Sequence, residues 1–507
     1  MNQETKSTRL QLVAALFCFF ALANHACVES ADVLSYLDGD TKLLAAESTT
    51  LLGTPGSQIG ESIRTVGDID GDGLDDMVFV DREYRRASDD HQRGAIHIIY
   101  GGTVSGATMP VNGHVIELLH AFKPRPLKVG KVGDMNGDGF ADFIVGDPYG
   151  TNCYSQAPTE NEKQFGRAYL VYGRAQRFDS LSQIADVATT IRDSTPCTKV
   201  GWGVSGLGDI DGDGFADLAL GNDLSANEIA LGHGRLHIFY GSTQKLSGTV
   251  ALQSSDAVLA AGSQSASFAL SVATAGDVNG DGFADFLIAQ GGAPNGEEGA
   301  VFLVNGSAKR MAGEVSLAAA SSRFVGAVGI SSTGVDDLDG DGFGDFAIDG
   351  RSVFHVYYGR PEGFAVTQTL AEADALLQPR DSEMFATSGI GAGDLDGDGH
   401  VDLIVGDGSL EGTRGGAYVL YGSSYRLSGD IPLDEFGTTY VGQLQSWSEN
   451  DGVSETGDWA GFSICVGDID GDGFADFGVG APNYTVGGPA PGRVYLIRGQ
   501  ERVDVQL

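Results

Sequence analysis

The chain has 507 residues and a net charge of −38 at neutral pH, with 69 acidic side chains against 31 basic ones. Such a balance argues against a nucleic-acid or anionic-membrane partner, because phosphate binding needs a basic patch. Glycine accounts for 76 residues, which suits tight turns, and no segment shows the sustained 3.6-residue period of a helix.

At the N-terminus, Lys6 and Arg9 precede an apolar run from Leu10 to Ala23, and Ala21-Leu-Ala23 offers small residues for cleavage. This reads as a secretory signal peptide over residues 1–23, with the cut as late as residue 31. The run is short for a membrane span, and no later segment reads as a transmembrane segment. Cys27 follows Ala26 and offers a lipid-anchor alternative, though Asn24 and His25 fit that signal poorly. The expected location is secreted, cell-surface or periplasmic.

From residue 68 onward, one acidic loop recurs seven times. Its first copy is Asp68-Ile-Asp-Gly-Asp-Gly-Leu-Asp-Asp76 and its last is Asp468-Ile-Asp-Gly-Asp-Gly-Phe-Ala-Asp476. Oxygen-bearing side chains stand at positions 1, 3, 5 and 9. They are Asp68, Asp70, Asp72 and Asp76; Asp134, Asn136, Asp138 and Asp142; Asp209, Asp211, Asp213 and Asp217; and Asp277, Asn279, Asp281 and Asp285. The later copies supply Asp337, Asp339, Asp341 and Asp345; Asp394, Asp396, Asp398 and Asp402; and Asp468, Asp470, Asp472 and Asp476. Calcium takes six to eight oxygens in a flexible shell, whereas magnesium demands a tight octahedron and keeps its waters. The spacing therefore points to about seven structural Ca2+ ions. Seven ions would neutralise 14 of the 38 net negative charges. An EF-hand is excluded, because that loop needs Glu at position 12 and flanking helices. Position 12 here is Phe79, Val145, Leu220, Ile288, Ile348, Val405 and Val479. The competing reading is a bare Asp-Gly turn between strands.

A second motif keeps step with the first. Gly94-Ala-Ile-His-Ile-Ile-Tyr-Gly101, Gly166-Arg-Ala-Tyr-Leu-Val-Tyr-Gly173 and Gly234-Arg-Leu-His-Ile-Phe-Tyr-Gly241 alternate in the manner of half-buried strands. Later copies end at Gly306, Gly359, Gly422 and Gly499. Weaker strands follow at Thr249-Val-Ala-Leu252, Glu314-Val-Ser-Leu317, Asp430-Ile-Pro-Leu433 and Val503-Asp-Val505, and are expected to be the outermost strand of each unit. Four-stranded units repeated in sequence mean an all-β, seven-bladed β-propeller with a calcium loop in each blade. It would be one domain over residues 32–507. The closing strand is either Val503–Leu507 or a segment near Val33–Leu44.

The loops and the Tyr-Gly strands resemble the FG-GAP repeats of integrin α-subunit propellers. The likeness runs over about residues 50–507. It implies calcium in hairpins on one face of the ring. It also implies, on the opposite face, a binding surface for an extracellular protein or carbohydrate ligand. The Gly-Ala-Pro element of those repeats is intact at Gly480-Ala-Pro482 and mostly degraded elsewhere.

The remaining chemistry is sparse. Cys153 and Cys197 fall in connections expected on the face opposite calcium, and read either as a disulfide of an exported protein or as two unrelated thiols. Cys465 reads as a small buried hydrophobe. His97, His237 and His355 hold equivalent places in the Tyr-Gly strand, which suits a structural role. No nucleophile elbow, phosphate loop or Cys-x-x-Cys pair appears, so no catalytic residue is assigned. A polysaccharide-cleaving propeller is the alternative to a recognition module. The longest loops, at Asp81–Arg86, Pro148–Tyr154, Trp447–Trp459 and Pro482–Tyr484, are the candidate ligand face. Asn305 and Asn483 start glycosylation sequons.

Overall fold

The computed structural model describes residues 41–501 apart from 45–47, 54–56, 85–93, 105–107, 111–113, 119–126, 149–165, 194–197, 225–233, 261–267, 292–297, 318–319, 327–330, 351–352, 380–388, 450–451 and 485–490. The signal-peptide reading, Cys27, Cys153, Cys197 and Val503–Leu507 lie outside the described residues.

Seven five-stranded sheets make the ring. Blade 1 runs outward from Ile63–Gly67 through Asp76–Asp81 and Ala95–Ile99 to His114–Glu117, all antiparallel. Leu181–Gln183 then adds in parallel to its edge. The innermost strands of the other blades are Lys128–Gly133, Thr198–Gly208, Phe268–Gly276, Ser332–Gly334, Ile390–Gly393 and Ser463–Gly467. The second strand of each blade is buried on both faces, as in the unbroken burial of Asp142–Asp147 and Asp402–Asp407. Near-continuous apolar runs therefore replace alternation there.

The fourth and fifth strands differ from the sequence-based expectation. Thr249–Ala251, Gly313–Ser316 and Gly429–Pro432 are not outermost strands of their own units. Each pairs in parallel with the fourth strand of the preceding blade. The fourth strands are Ala188–Arg192, Ala257–Ala260, Ser322–Gly326, Ala375–Gln378 and Thr438–Val441, reached one turn later. The chain thus laces each blade to the one before it, which covers otherwise open sheet edges.

The same lacing closes the ring. Thr49–Leu52 is the antiparallel fourth strand of blade 7, pairing with Arg493–Ile497. Thr41–Leu43 adds in parallel to blade 6. Both termini therefore build the last two blades, and the N-terminal alternative for closure holds, shifted to Thr41–Leu52.

Apolar packing lies between blades. Seven clusters of buried side chains each join two adjacent blades, for example Val78, Ile96 and Tyr100 of blade 1 with Phe143 and Val145 of blade 2. Each blade is thus stabilised from both sides by hydrophobic burial. Among the described residues no helix is long and apolar enough to cross a membrane.

Candidate metal centres

Each acidic loop joins the innermost strand of a blade to its second strand, so all seven fall at one end of the ring. The loops fold around their own backbone. Asp68 accepts the amides of Gly71 and Gly73 at 2.6 and 2.8 Å. Asp72 Oδ1 accepts the Leu74 amide at 3.0 Å. Gly71 and Gly73 sit at φ +81° and +89°, in the left-handed region that glycine enters at little cost. These internal bonds use Oδ1 of the third- and fifth-position carboxylates and leave their Oδ2 atoms for other partners.

Position 9 has a different task. Asp76 is fully buried. Its Oδ2 accepts the Ile69 amide at 2.8 Å, and its Oδ1 accepts the amide of Gly101 at 2.8 Å. The pattern recurs in every blade, with Asp142 on Gly173, Asp217 on Gly241, Asp285 on Gly306, Asp345 on Gly359, Asp402 on Gly422 and Asp476 on Gly499. This bond explains why the acidic loop and the Tyr-Gly strand recur in step. Burial pushes the carboxyls of Asp76, Asp142, Asp217, Asp285, Asp345 and Asp402 up to about 7, against the opposing pull of those amides.

The loops are also chained to one another. The amide of position 8 donates to the position-1 carbonyl of the preceding loop: Ala141 to Asp68, Ala216 to Asp134, Ala284 to Asp209, Gly344 to Asp277, Ala475 to Asp394 and Asp75 to Asp468. Where position 7 is phenylalanine, its ring lies over the position-4 glycine of the preceding loop. A Cβ on Gly137 would meet the Phe215 ring, and one on Gly280 the Phe343 ring. Phe-Ala at positions 7 and 8 is therefore an inter-blade contact, a role that the sequence reading did not assign.

The donor set fits a hard cation. In the loops of blades 1, 3, 5, 6 and 7, carboxylate oxygens from positions 1, 3 and 9 lie within 4.8 Å of one another. In blades 2 and 4 position 3 is an asparagine, and Asn136 Nδ2 stands 3.3 Å from Asp142 Oδ2. Among the described residues strands, not helices, flank all seven loops, so the EF-hand exclusion holds.

Elsewhere the site reading is structural. His97, His237 and His355 are buried in third strands. His97 Nε2 is 3.6 Å from Asp81, and burial pushes His237 down to about 4. Cys465 is a buried free thiol that burial pushes up to about 12. At the opposite end of the ring, Asp458 is fully buried and accepts from the Tyr495 hydroxyl. Arg493 donates to that hydroxyl at 3.0 Å and covers the Tyr484 ring. Trp459, beside Asp458, is 42% exposed at φ +56°. Of the candidate ligand-face loops, residues 85–86, 149–154 and 450–451 lie outside the described residues, whereas Pro482–Tyr484 is described.

A family model described as the FG-GAP repeat matches residues 132–171, 268–304 and 460–497, in blades 2, 4 and 7. Integrin alpha-PS2 of Drosophila melanogaster is 29% identical over 174 residues, covering 33% of this chain and 12% of the relative. Integrin alpha-5 of Xenopus laevis is 29% identical over 243 residues, covering 45% of this chain and 20% of the relative. Integrin alpha-7 of Rattus norvegicus is 31% identical over 112 residues, covering 22% and 8%. The chain thus spans at most a fifth of the length of these relatives. The crystal structure of BBS1N in complex with ARL6DN, soaked with lead, overlaps 91% of this chain and all of that one at TM-score 0.40 and 11% identity, too loosely to bear on function.

Proposed function

We propose, from the premise that the chain is an FG-GAP, integrin-α-like propeller, that it is an exported calcium-binding recognition or adhesion module without enzymatic activity. Calcium is structural in this reading. It is held by the residues at positions 1, 3, 5 and 9 of each loop, from Asp68, Asp70, Asp72 and Asp76 around to Asp468, Asp470, Asp472 and Asp476. The ligand, an extracellular protein or carbohydrate, docks on the opposite face, where the loops between second and third strands emerge.

The observation that carries the reading is the ring of seven acidic loops at one end, five of them with carboxylate oxygens converging from positions 1, 3 and 9 and most bonded to a neighbour. Ordering one loop by an ion supports the next, and binding to the folded state alone stabilises it by mass action. Millimolar extracellular calcium suits sites of modest affinity.

The test is a calorimetric titration of Ca2+ into the chelator-stripped full chain, with melting curves before and after. The expected result is binding at about seven sites and a marked rise in melting temperature. Negligible heat with an unchanged melting temperature would overturn the calcium reading. A glycan array and a cell-surface binding assay, run with the calcium-loaded protein, separate the two ligand classes.

A further inference from the structure

The loop that follows each Tyr-Gly strand carries a cation at a fixed place. Four residues after the closing glycines Gly173, Gly241, Gly306 and Gly422 stand Arg177, Lys245, Arg310 and Arg426. Each reaches back to the acidic loop of the preceding blade. Arg177 binds Asp70 through Nε and Asp72 through Nη2, the latter at 2.7 Å. Arg310 grips Asp211 and Asp213 in the same way, and Arg426 grips Asp339 and Asp341. Lys245 takes Asp138 alone at 2.7 Å, where position 3 is Asn136.

Each cation is held from behind. Arg177, Lys245, Arg310 and Arg426 lie 4.5, 4.9, 4.7 and 4.9 Å from the ring centroids of Tyr100, Tyr172, Tyr240 and Tyr358. The hydroxyls of the same tyrosines accept the next backbone amides, from Phe178, Leu246, Met311 and Leu427, at 2.7–3.0 Å. Where the tyrosine is replaced, the cation is replaced with it: the junction of blades 4 and 5 has Asn305 and Gly363 at these two places. The pairing runs one way only, since at the junction of blades 6 and 7 Tyr421 is kept while the latch place is Val503.

The oxygens that the arginines take are the two left over by the loop. Asp211 Oδ1 accepts the Asp213 amide and Asp213 Oδ1 accepts the Phe215 amide, while both Oδ2 atoms face Arg310. A doubly charged ion drawn to the same carboxylates is repelled by the tethered guanidinium and must share or displace it.

We propose that Arg177, Arg310 and Arg426, and more weakly Lys245, are built-in counter-cations that compete with calcium for positions 3 and 5 of the neighbouring loop. They lower its affinity and hold it folded when calcium is scarce. The inference rests on the calcium reading above. It divides the sites into latched ones, in blades 1, 2, 3 and 5, and unlatched ones in blades 4 and 6, whose latch places are Gly363 and Val503; in blade 7 Arg498, at the tyrosine place, meets Asp470 at 2.9 Å instead.

The test compares the full chain with the Arg177→Met, Arg310→Met, Arg426→Met triple variant. Methionine keeps an apolar stem over each tyrosine and removes the charge. Calcium titration should show three sites tightened by roughly tenfold, the scale of one close charge repulsion on a divalent ion. In chelator, the variant should melt below the parent. A purely structural latch would lower melting with and without calcium alike and leave the isotherm unmoved, and that result would overturn the proposal. A parent chain that binds no calcium would instead remove the calcium reading on which it stands. If the triple variant fails to fold in chelator, Arg426→Met alone is read in the same two assays, with Arg426→Lys expected to fall between parent and Arg426→Met, because lysine keeps the charge but loses the two-pronged grip on Asp339 and Asp341.

Discussion

Asp142 Oδ1 accepts the backbone amide of Gly173 at 2.9 Å across 31 residues of chain. That bond ties an acidic loop to the strand two places outward. It makes the ninth-position aspartate a structural part of the blade whatever else it binds. Replacing Asp142 with Ala leaves the buried amides of Gly173 and Met135 without an acceptor. The expected loss is about 3 kcal/mol in urea unfolding, since each unpaired buried donor costs about 1–3 kcal/mol. Gly173→Ala should be comparably harmful, because its Cβ would stand 2.7 Å from Phe140 Cβ and 2.9 Å from the Ile69 carbonyl.

Two glycines of one loop give a sharper comparison. Gly137 and Gly139 lie at φ +73° and +88°, so alanine strains the backbone at both. A Cβ at Gly137 meets the Phe215 ring of the next blade, whereas one at Gly139 meets nothing within 4 Å. Gly139→Ala should cost about 1 kcal/mol. Gly137→Ala should cost clearly more, by the displacement of the ring. Equal losses in thermal melting would mean that the Phe-over-Gly contact between loops contributes nothing.

Ring closure should be sensitive to an N-terminal segment that carries no acidic loop of its own. Leu51 is 1% exposed in Thr49–Leu52 and packs with Val494 and Leu496. Leu51→Ala should cost about 2–4 kcal/mol. Leu181, in the fifth-strand edge of blade 1 and 41% exposed, should tolerate alanine within about 0.5 kcal/mol. Removing residues 1–52 should abolish the single cooperative transition of the calcium-loaded protein, read by circular dichroism.

The sequence carried the loops, the Tyr-Gly strands and the blade number, because these repeat with fixed chemistry. Four oxygens recur at the same offsets, and the Tyr-Gly ending recurs in step with them; the alternation misled, because strands such as Ala95–Ile99 are buried at every position rather than on one face. Fourth strands were not legible. His114–Glu117 and Ala257–Ala260 are four residues long, and their identity depends on which neighbour they pair with. The fifth strands misled for the same reason: Thr249–Ala251 reads as a strand but belongs to the sheet of another unit. The arginine latches were also missed. Arg177 and Asp70 are 107 residues apart, and a lone arginine in a loop looks like any solvated charge. The signal was present in the constant spacing of four residues after Gly173, Gly241, Gly306 and Gly422, paired with a tyrosine one blade earlier.

Acid should destabilise the protein partly through His237. Its side chain is 5% exposed, Nδ1 lies 2.9 Å from the Ser255 hydroxyl, and burial lowers its pKa to about 4. An unfolded histidine titrates near 6.5. The folded state therefore resists a proton that the unfolded state accepts. This contribution is present in full above pH 6.5 and is lost as the pH falls from 6.5 toward 4. At pH 5 the loss from this residue alone is about 2 kcal/mol. His237→Gln removes the titration, so its stability relative to the parent should improve by about that amount between pH 7.5 and pH 5. Chemical denaturation at the two pH values, in the same calcium concentration, measures it. A parallel pH dependence in parent and variant would show that His237 takes up its proton in the folded state without cost, and would move the acid sensitivity to other groups.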